Sequence, residues 1–395
     1  MAAGPVWDHM EERRNGVRMG WGYQVDCPIC RSHSWLLIPT DSGPPFLHVR
    51  RMAMAGRILR VQPQPEGVRR HSEDTMPLVD MPLDKLRTYQ GRNPRPADFD
   101  AYWDRALAEQ RATDPKPELV PGPHTFRGAE CFDLWFTGVR GARIHAKYLR
   151  PANRTGRCPT ILLFHGYSGH SGDWQDKLAW VAQGYCVAAL DVRGQGGLSE
   201  DVGGIKGTTQ VGHIIRGIDD PDPHRLLFRD IYLDTAQMAR VVMAFPEVDP
   251  ARLGAHGASQ GGGLTLACAS LVPEVRLAAP VYPFLCDYRR VWEMDQAKDA
   301  YAELRTWFRS FDPRHQREDA VFTRLGYIDC QHLAPRITAE VMMGVGLMDT
   351  ICPPSTQYAA YNRITSTKRE VIFPDFAHEG LPGFSDMVHQ FMAKL

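Results

Sequence analysis

Gly257-Ala258-Ser259-Gln260-Gly261 lies between the apolar run 251–257 and the small-residue run 261–271. This arrangement predicts a strand, a sharp turn and a helix, with Ser259 exposed at the turn beside the free N–H groups of the helix start. Glycine is favoured on both sides because such a turn brings backbone too close for a β-carbon. An ordinary glycine-rich helix start is the alternative interpretation, because the chain contains 35 glycines.

Short apolar runs alternate with helical patterns on both sides of this turn. Strands are predicted at 160–164, 186–190, 252–255, 275–281, 340–346 and 370–373, and helices at 174–183, 230–245, 260–271, 355–364 and 384–394. Such alternation is typical of a mainly parallel sheet with helices on both faces. We therefore predict an α/β fold whose site lies beyond the carboxyl ends of the strands.

Other segments depart from this alternation. Residues 131–137 and 144–149 flank the turn 138–141 and predict a β-hairpin. Residues 96–107 have helical spacing. The charged helical stretch 292–327 predicts a small helical insertion over the site.

The first 75 residues differ from the rest, because they are rich in arginine and contain no lysine and only short apolar stretches. Such a segment has too little periodic apolar surface to offset the entropy of ordering. We expect residues 1–75 to be mostly disordered and residues 76–395 to form the structured domain. A small accessory module is the alternative for 1–75.

The composition excludes several classes of protein. Basic and acidic residues balance at 46 each, so no global field favours nucleic acid or an acidic membrane. No apolar run is long enough to span a bilayer, and no secretory signal opens the chain. The nine cysteines are scattered, which favours free thiols and a cytoplasmic location. The pair Cys27 and Cys30, followed by His33, lacks further zinc ligands downstream, so we predict no metal site.

A nucleophilic serine needs a base and an acid that orients the base. Asp349 lies just after the predicted strand 340–346, and His378 lies just after the last predicted strand, 370–373. Serine, acid and histidine then occur in the order expected of α/β-hydrolases. Asp375 is the rival acid, but its position three residues before His378 favours a role in the local turn.

The tetrahedral intermediate of acyl transfer needs two hydrogen-bond donors for its oxyanion. One is expected from the residue after the nucleophile and one from the loop after an early strand. The sequence therefore predicts the backbone N–H groups of Gln260 and Tyr167, the latter in the glycine-rich loop 165–169. An ordinary strand-helix loop is the alternative for 165–169.

Several motifs together resemble the family 7 carbohydrate esterases, the acetyl xylan esterase and cephalosporin C deacetylase group. The resemblance covers residues 76–395. The motifs are His165-Gly-Tyr-Ser-Gly, Arg193-Gly194-Gln195, the pentapeptide around Ser259, His378-Glu379, Asp349-Thr-Ile-Cys-Pro-Pro-Ser-Thr, Ala359-Ala-Tyr-Asn, Pro77-Leu-Val-Asp-Met-Pro-Leu and the helix beginning Asp98-Phe-Asp-Ala-Tyr-Trp.

The resemblance implies an α/β-hydrolase with Ser259 as nucleophile, Asp349 as acid and His378 as base. It also implies cytoplasmic homo-hexamers whose internal cavity admits small acetylated substrates, and it requires no cofactor. The loop 203–222 resembles the family's interface insertion. Arg193, Gly194, Gln195 and Glu379 match residues that are structural in the family.

Two further hypotheses concern the signature residues and the front of the chain. We expect a buried Arg193 to pair with Glu379 beside His378. Because Met76 resembles the family's usual first residue, we interpret 1–75 as a mis-assigned start or a non-functional leader.

The sequence thus predicts a serine esterase that removes acetyl groups from small substrates such as acetylated xylo-oligosaccharides or cephalosporin C. Two alternatives stay open. One is a lipase or peptidase on the same fold, because fold does not fix function. The other is a non-catalytic binding protein that kept the scaffold.

Overall fold

The computed structural model describes residues 22–26, 33–37, 79–202 and 213–395. The chain divides into two compact units, Met1–Val68 and Arg69–Leu395. In the first unit, strands β1 (Gly22–Asp26) and β2 (His33–Leu37) pair as an antiparallel hairpin. Three sequence predictions concern residues outside the described ranges. They are the disorder of the rest of 1–75, the absence of a metal site at the Cys27 and Cys30 pair, and the first half of the interface loop 203–222.

The second unit is built on a sheet of nine strands, in the order β11-β10-β9-β8-β6-β7-β5-β4-β3. The strands are β3 (Glu118–Pro121), β4 (Ala129–Thr137), β5 (Arg143–Pro151), β6 (Cys158–Phe164), β7 (Cys186–Leu190), β8 (Val248–Ala258), β9 (Val275–Val281), β10 (Glu340–Gly346) and β11 (Lys368–Phe373).

The six strands from β11 to β7 are parallel, whereas β5, β4 and β3 continue the sheet in antiparallel pairings. The predicted hairpin is the pair β4 and β5, joined through the turn at 138–141. The predicted α/β fold with a mainly parallel sheet is therefore confirmed.

Eleven α-helices are present in the described part of the chain. They are α1 (Leu83–Leu86), α2 (Phe99–Ala112), α3 (Leu178–Ala182), α4 (Leu227–Met243), α5 (Gln260–Leu271), α6 (Tyr288–Glu293), α7 (Ala302–Phe311), α8 (Glu318–Leu325), α9 (Cys330–Leu333), α10 (Pro354–Tyr361) and α11 (Phe384–Met392). A helical insertion was predicted at 292–327. The helices found there are α6, α7 and α8, which together span 288–325 and are called the helical insertion below.

Each face of the sheet carries its own hydrophobic core. Successive residues of a strand point to opposite faces, so neighbours in one strand contribute to different cores. Ile161 and Leu162 of β6 accordingly belong to two separate hydrophobic cores. The smaller core packs against α3 and α11, and the larger one against α2, α4, α5 and α10. Helix α5 is buried on every side, which explains its run of glycine, alanine and leucine.

The predicted pairing of Arg193 with Glu379 is wrong. Arg193 is fully buried, and its Nε and Nη2 each donate to a different carboxylate oxygen of Asp234 over 2.6 Å. Asp230 lies 3.5 Å from its Nη1. Glu379 is exposed, and its carboxylate accepts a hydrogen bond from the amide of Ala377. The turn after β7 faces α4, which supplies both acids.

Two buried carboxylates lie at the junction of the insertion with residues 89–93. Asp287 accepts hydrogen bonds from the Tyr89 hydroxyl and from the amides of Arg92 and Asn93. The Asp287 amide donates to Asp329 over 3.0 Å. Burial, and then the charge of Asp287, raise the pKa of Asp329 to about 7.

This raised pKa predicts a loss of stability with rising pH. The folded protein holds the Asp329 proton more tightly than the unfolded chain, so the stabilisation is full below about pH 4 and is lost as the pH approaches 7. We expect the free energy of unfolding to fall by about 3 kcal/mol between pH 5 and 8 from this group. Urea unfolding curves at pH 5, 6, 7 and 8 measure it.

Asp329→Asn should flatten this pH dependence, because the amide does not ionise. Asp104→Asn is the control, since Asp104 is exposed on α2 and should leave the dependence unchanged. An Asp329→Asn protein with the wild-type slope would contradict the prediction.

Candidate active site

Three strand ends bring the predicted serine, acid and histidine together. Ser259 lies between β8 and α5, Asp349 follows β10, and His378 follows β11. His378 Nε2 is 2.9 Å from Ser259 Oγ, and His378 Nδ1 is 2.8 Å from a carboxylate oxygen of Asp349. The side chains form a continuous chain of hydrogen bonds, which is the geometry that proton transfer from a serine requires.

The acid of this chain is Asp349 rather than its rival Asp375. Asp349 is fully buried, and its second carboxylate oxygen accepts hydrogen bonds of 2.8 Å from the amides of Ile351 and Cys352. These bonds fix the carboxylate so that it can orient the His378 ring. Asp375 is exposed in the turn before His378.

The backbone at Ser259 is strained, with φ of 59° and ψ of −120°. A non-glycine residue rarely adopts this conformation, and it costs on the order of 1–3 kcal/mol. The flanking glycines permit the turn: a β-carbon at Gly257 would lie 2.5 Å from the carbonyl oxygen of Phe164, and one at Gly261 would overlap the same atom. The turn therefore has the close backbone approach that the sequence predicted.

The two predicted oxyanion donors remain available for a ligand. Gln260 is the first residue of α5, where helix N–H groups have no acceptor within the helix. In the described part of the chain, neither the amide of Gln260 nor that of Tyr167 donates to another residue. The carbonyl of Ser259 is occupied by the amides of Gly263 and Phe284, which hold the turn against the loop after β9.

The signature residue Gln195 ties the two donor segments to each other. Its side-chain amide exchanges hydrogen bonds of 2.7 and 2.9 Å with that of Gln260. Its oxygen also accepts the amide of Ser168 over 2.9 Å. The loops after β6 and β7 are therefore fastened to the first residue of α5. Gly194 occupies the turn after β7 with φ of 69°.

Sequence reasoning missed Asp191, which lies directly after β7. Its carboxylate accepts hydrogen bonds from the amides of Ser171 and Leu198, and it is 2.6 Å from His145 Nδ1. Burial acts to raise the pKa of Asp191, but the hydrogen bonds from His145, Leu198 and Ser171 outweigh it and hold the pKa well below its usual range. The sequence signal that could have found Asp191 is an acidic residue directly after the predicted strand 186–190.

A metal ion was not predicted at this site, although Asp349, Cys352 and His378 bring ligand atoms within 4.8 Å of one another. Metal ligation by cysteine needs the thiolate. Burial, and then the charge of Asp349, raise the pKa of Cys352 well above its usual value. Without an ion the thiol form of Cys352 is therefore favoured, and both ring nitrogens of His378 are already engaged in the hydrogen-bonded chain with Ser259 and Asp349.

The chain resembles known proteins over its second unit. A sequence model of the family described as Acetyl xylan esterase (AXE1) matches residues 76–395. The crystal structure of acetyl xylan esterase 1 from Thermoanaerobacterium sp. JW/SL YS485 is 59% identical, with a TM-score of 0.79. Acetyl xylan esterase from Paenibacillus sp. R4 is 35% identical, with a TM-score of 0.76. Each match covers 80% of this chain and 99% of the other.

A more distant relative is the acetyl esterase Axe7A of Xylanibacter ruminicola (strain ATCC 19189 / DSM 19721 / CIP 105475 / JCM 8958 / 23). It is 26% identical over 291 residues, which make up 72% of this chain. The aligned part spans 63% of the length of that relative.

Proposed function

Because the chain belongs to the acetyl xylan esterase family, we infer that it is a serine esterase that removes acetyl groups from small acetylated substrates. The observation that carries this inference is the hydrogen-bonded chain Ser259–His378–Asp349 beside the unpaired amides of Gln260 and Tyr167. A binding protein on the same scaffold would have no need of this arrangement.

The reaction follows from this geometry. Ser259 Oγ attacks the acetyl carbonyl while His378 Nε2 takes the serine proton, and the amides of Gln260 and Tyr167 hold the oxyanion. His378 then gives this proton to the departing alkoxide oxygen, so the C–O bond breaks, the alcohol leaves and the acetyl-enzyme is formed. A water molecule, deprotonated by His378, attacks the acetyl-enzyme, and acetate leaves as Ser259 regains its proton.

The aromatic side chains near Ser259 and His378 support specificity for a short acyl group. The ring of Tyr282 is 4.6 Å from that of His378. The rings of Tyr167 and Phe284 are 5.5 Å apart, and the Phe284 amide is bonded to the carbonyl of Ser259. We propose that these rings limit the space into which an acyl chain could extend.

We expect kcat/KM on p-nitrophenyl esters to fall steeply with acyl length, by about tenfold or more from acetate to butyrate. The series from acetate to octanoate measures this with one leaving group throughout, so only the acyl pocket is compared. A flat or rising series would favour the lipase-type alternative. Faster turnover of p-nitroanilides than of the esters would favour a peptidase.

The natural substrate is proposed at the level of chemical class. Acetyl groups on xylan are supported by the family and by the names of both relatives of known structure. The restriction to short acetylated xylo-oligosaccharides is supported by the motif resemblance alone. Cephalosporin C is supported by the motif resemblance alone. Acetate release from acetylated xylo-oligosaccharides, polymeric acetylated xylan and cephalosporin C, compared on one enzyme preparation, distinguishes them.

The assembly and location are proposed from the same resemblance. We propose a homo-hexamer in the cytoplasm, in which an internal cavity excludes polymeric xylan. Light scattering of the purified protein measures its mass. Among the described helices, none is both long and apolar enough to cross a membrane.

A further inference from the structure

Glu303 links the helical insertion to the predicted oxyanion loop. It lies in the first turn of α7 and is only 6% exposed. One of its carboxylate oxygens accepts the amide of His213 over 2.8 Å and the hydroxyl of Tyr167. The other accepts the amides of Ile214 and Ile215 over 2.9 and 3.3 Å.

None of the described hydrogen-bond partners of this buried carboxylate is a cation. Burying a charge is costly unless hydrogen bonds compensate for the lost water. Here three backbone amides and one phenol provide that compensation. Four donors directed at two oxygens restrict the carboxylate to one orientation, so the Tyr167 hydroxyl meets an acceptor with a fixed position.

The side chain of Tyr167 is held at the hydroxyl and along the ring. Its ring packs perpendicular to that of His213, with the centroids 5.4 Å apart. Burial, and then the Glu303 carboxylate, raise the pKa of Tyr167 far above its usual value. The phenol therefore keeps its proton near neutral pH and donates it in a hydrogen bond to Glu303.

The same residue supplies the predicted oxyanion donor through its backbone. The loop 165–169 is anchored on both sides of Tyr167, for example by the bond from the Ser168 amide to Gln195 and by the bond from the Gly196 amide to the Gly169 carbonyl. The Tyr167 side chain adds a separate anchor, because its hydroxyl reaches Glu303 of the insertion. An amide that rotates away from the oxyanion loses its effect on the transition state, because such donors act through their fixed direction.

We infer that Glu303 is a positioning residue for the oxyanion hole, holding the Tyr167 phenol so that the Tyr167 amide points at the developing oxyanion. This inference rests on the proposed esterase function. It gives the helical insertion a part in catalysis through one carboxylate, without contact with the substrate.

Glu303→Gln and Tyr167→Phe test the inference separately. A glutamine offers one acceptor oxygen where four donors converge, and its NH₂ group would face a backbone N–H. Phenylalanine removes the hydroxyl and keeps the ring and the backbone amide. We expect kcat on p-nitrophenyl acetate to fall about 10- to 100-fold in each variant, with KM little changed.

A second readout separates positioning from loss of folded protein. Active sites are counted by titration with an organophosphate, and rates are expressed per titrated site. The inhibition constant of a boronic acid, which forms a tetrahedral adduct with the serine, should rise by the same factor as kcat/KM falls. The double variant should lose less than the sum of the two single variants, because the bond between Glu303 and the Tyr167 hydroxyl is lost in both.

Asp312→Asn is the matched control, because Asp312 caps the other end of α7 and accepts the amides of Gln316 and Arg317. It should leave kcat per titrated site and the boronic acid constant unchanged. Wild-type values of both quantities in Tyr167→Phe would overturn the inference, even if Glu303→Gln did not fold. Failure of the proposed function would appear instead in the wild-type protein, as no acetyl ester hydrolysis.

Discussion

Replacing Ser259 by alanine is expected to lower kcat/KM on p-nitrophenyl acetate by about 10⁴- to 10⁶-fold. The variant lacks the oxygen that forms the acetyl-enzyme, whereas the amides of Gln260 and Tyr167 remain to polarise a bound ester. The residual rate should therefore still exceed the uncatalysed reaction. We expect Ser259→Ala to fold, because alanine is smaller than serine and adds no atom to the strained turn.

The control for this change is Ser270→Ala on the same helix, where the hydroxyl donates to the carbonyl of Leu266. That variant should keep wild-type kcat/KM. Mass spectrometry after organophosphate treatment should locate the label on Ser259 in the wild type and find none in Ser259→Ala. Label on a different serine, or retained hydrolysis in Ser259→Ala, would refute the assigned nucleophile.

Arg193→Ala is expected to destabilise the folded protein by about 3–5 kcal/mol. Asp234 is fully buried and, among the described residues, Arg193 is the cation paired with it. Burial opposes the charged form of Arg193, but the carboxylates of Asp234 and Asp230 more than offset this and raise the pKa of the guanidinium. Removing the cation therefore leaves a buried carboxylate without its partner, which is the costly outcome for an ion pair.

The double variant Arg193→Met with Asp234→Leu should lose less stability than Arg193→Ala, because it removes both charges and fills the space. Arg305→Ala is the surface control: its side chain is 43% exposed, and that of its partner Asp295 is 91% exposed. Its effect should stay below about 1 kcal/mol. A free energy of unfolding for Arg193→Ala equal to that of the control would contradict the expectation.

Some strand and helix bounds could be predicted from the sequence to the residue, whereas β8, directly before the turn, was predicted at 252–255 and runs over Val248–Ala258. The bounds of β7, β9, β10 and α5 agree with those predicted. These elements are buried on both sides or on every side, so their apolar runs end where the chain leaves the core. The helix predicted at 174–183 is instead a 3₁₀ turn at 175–177 followed by α3, because polar residues in its first turn weaken the helical pattern.

The partners of buried charges could not be read in the same way. Arg193 was expected to meet Glu379 because both matched signature residues, yet α4 supplies its partners. The residues Tyr167 and Glu303 are 136 positions apart and belong to segments with no shared pattern. Nothing in local spacing distinguishes Glu303 from the other acids of the insertion.

The sequence by itself determined the alternation of strands and helices and the order of serine, acid and histidine. These are local properties, because period, glycine position and strand ends depend on neighbouring residues. The tertiary structure alone decided which side chains meet across the strand ends: the partner of Arg193, the Gln195–Gln260 pair, and the carboxylate that holds Tyr167. Such contacts depend on how helices pack on the sheet, and packing is set by the whole core rather than by any one segment.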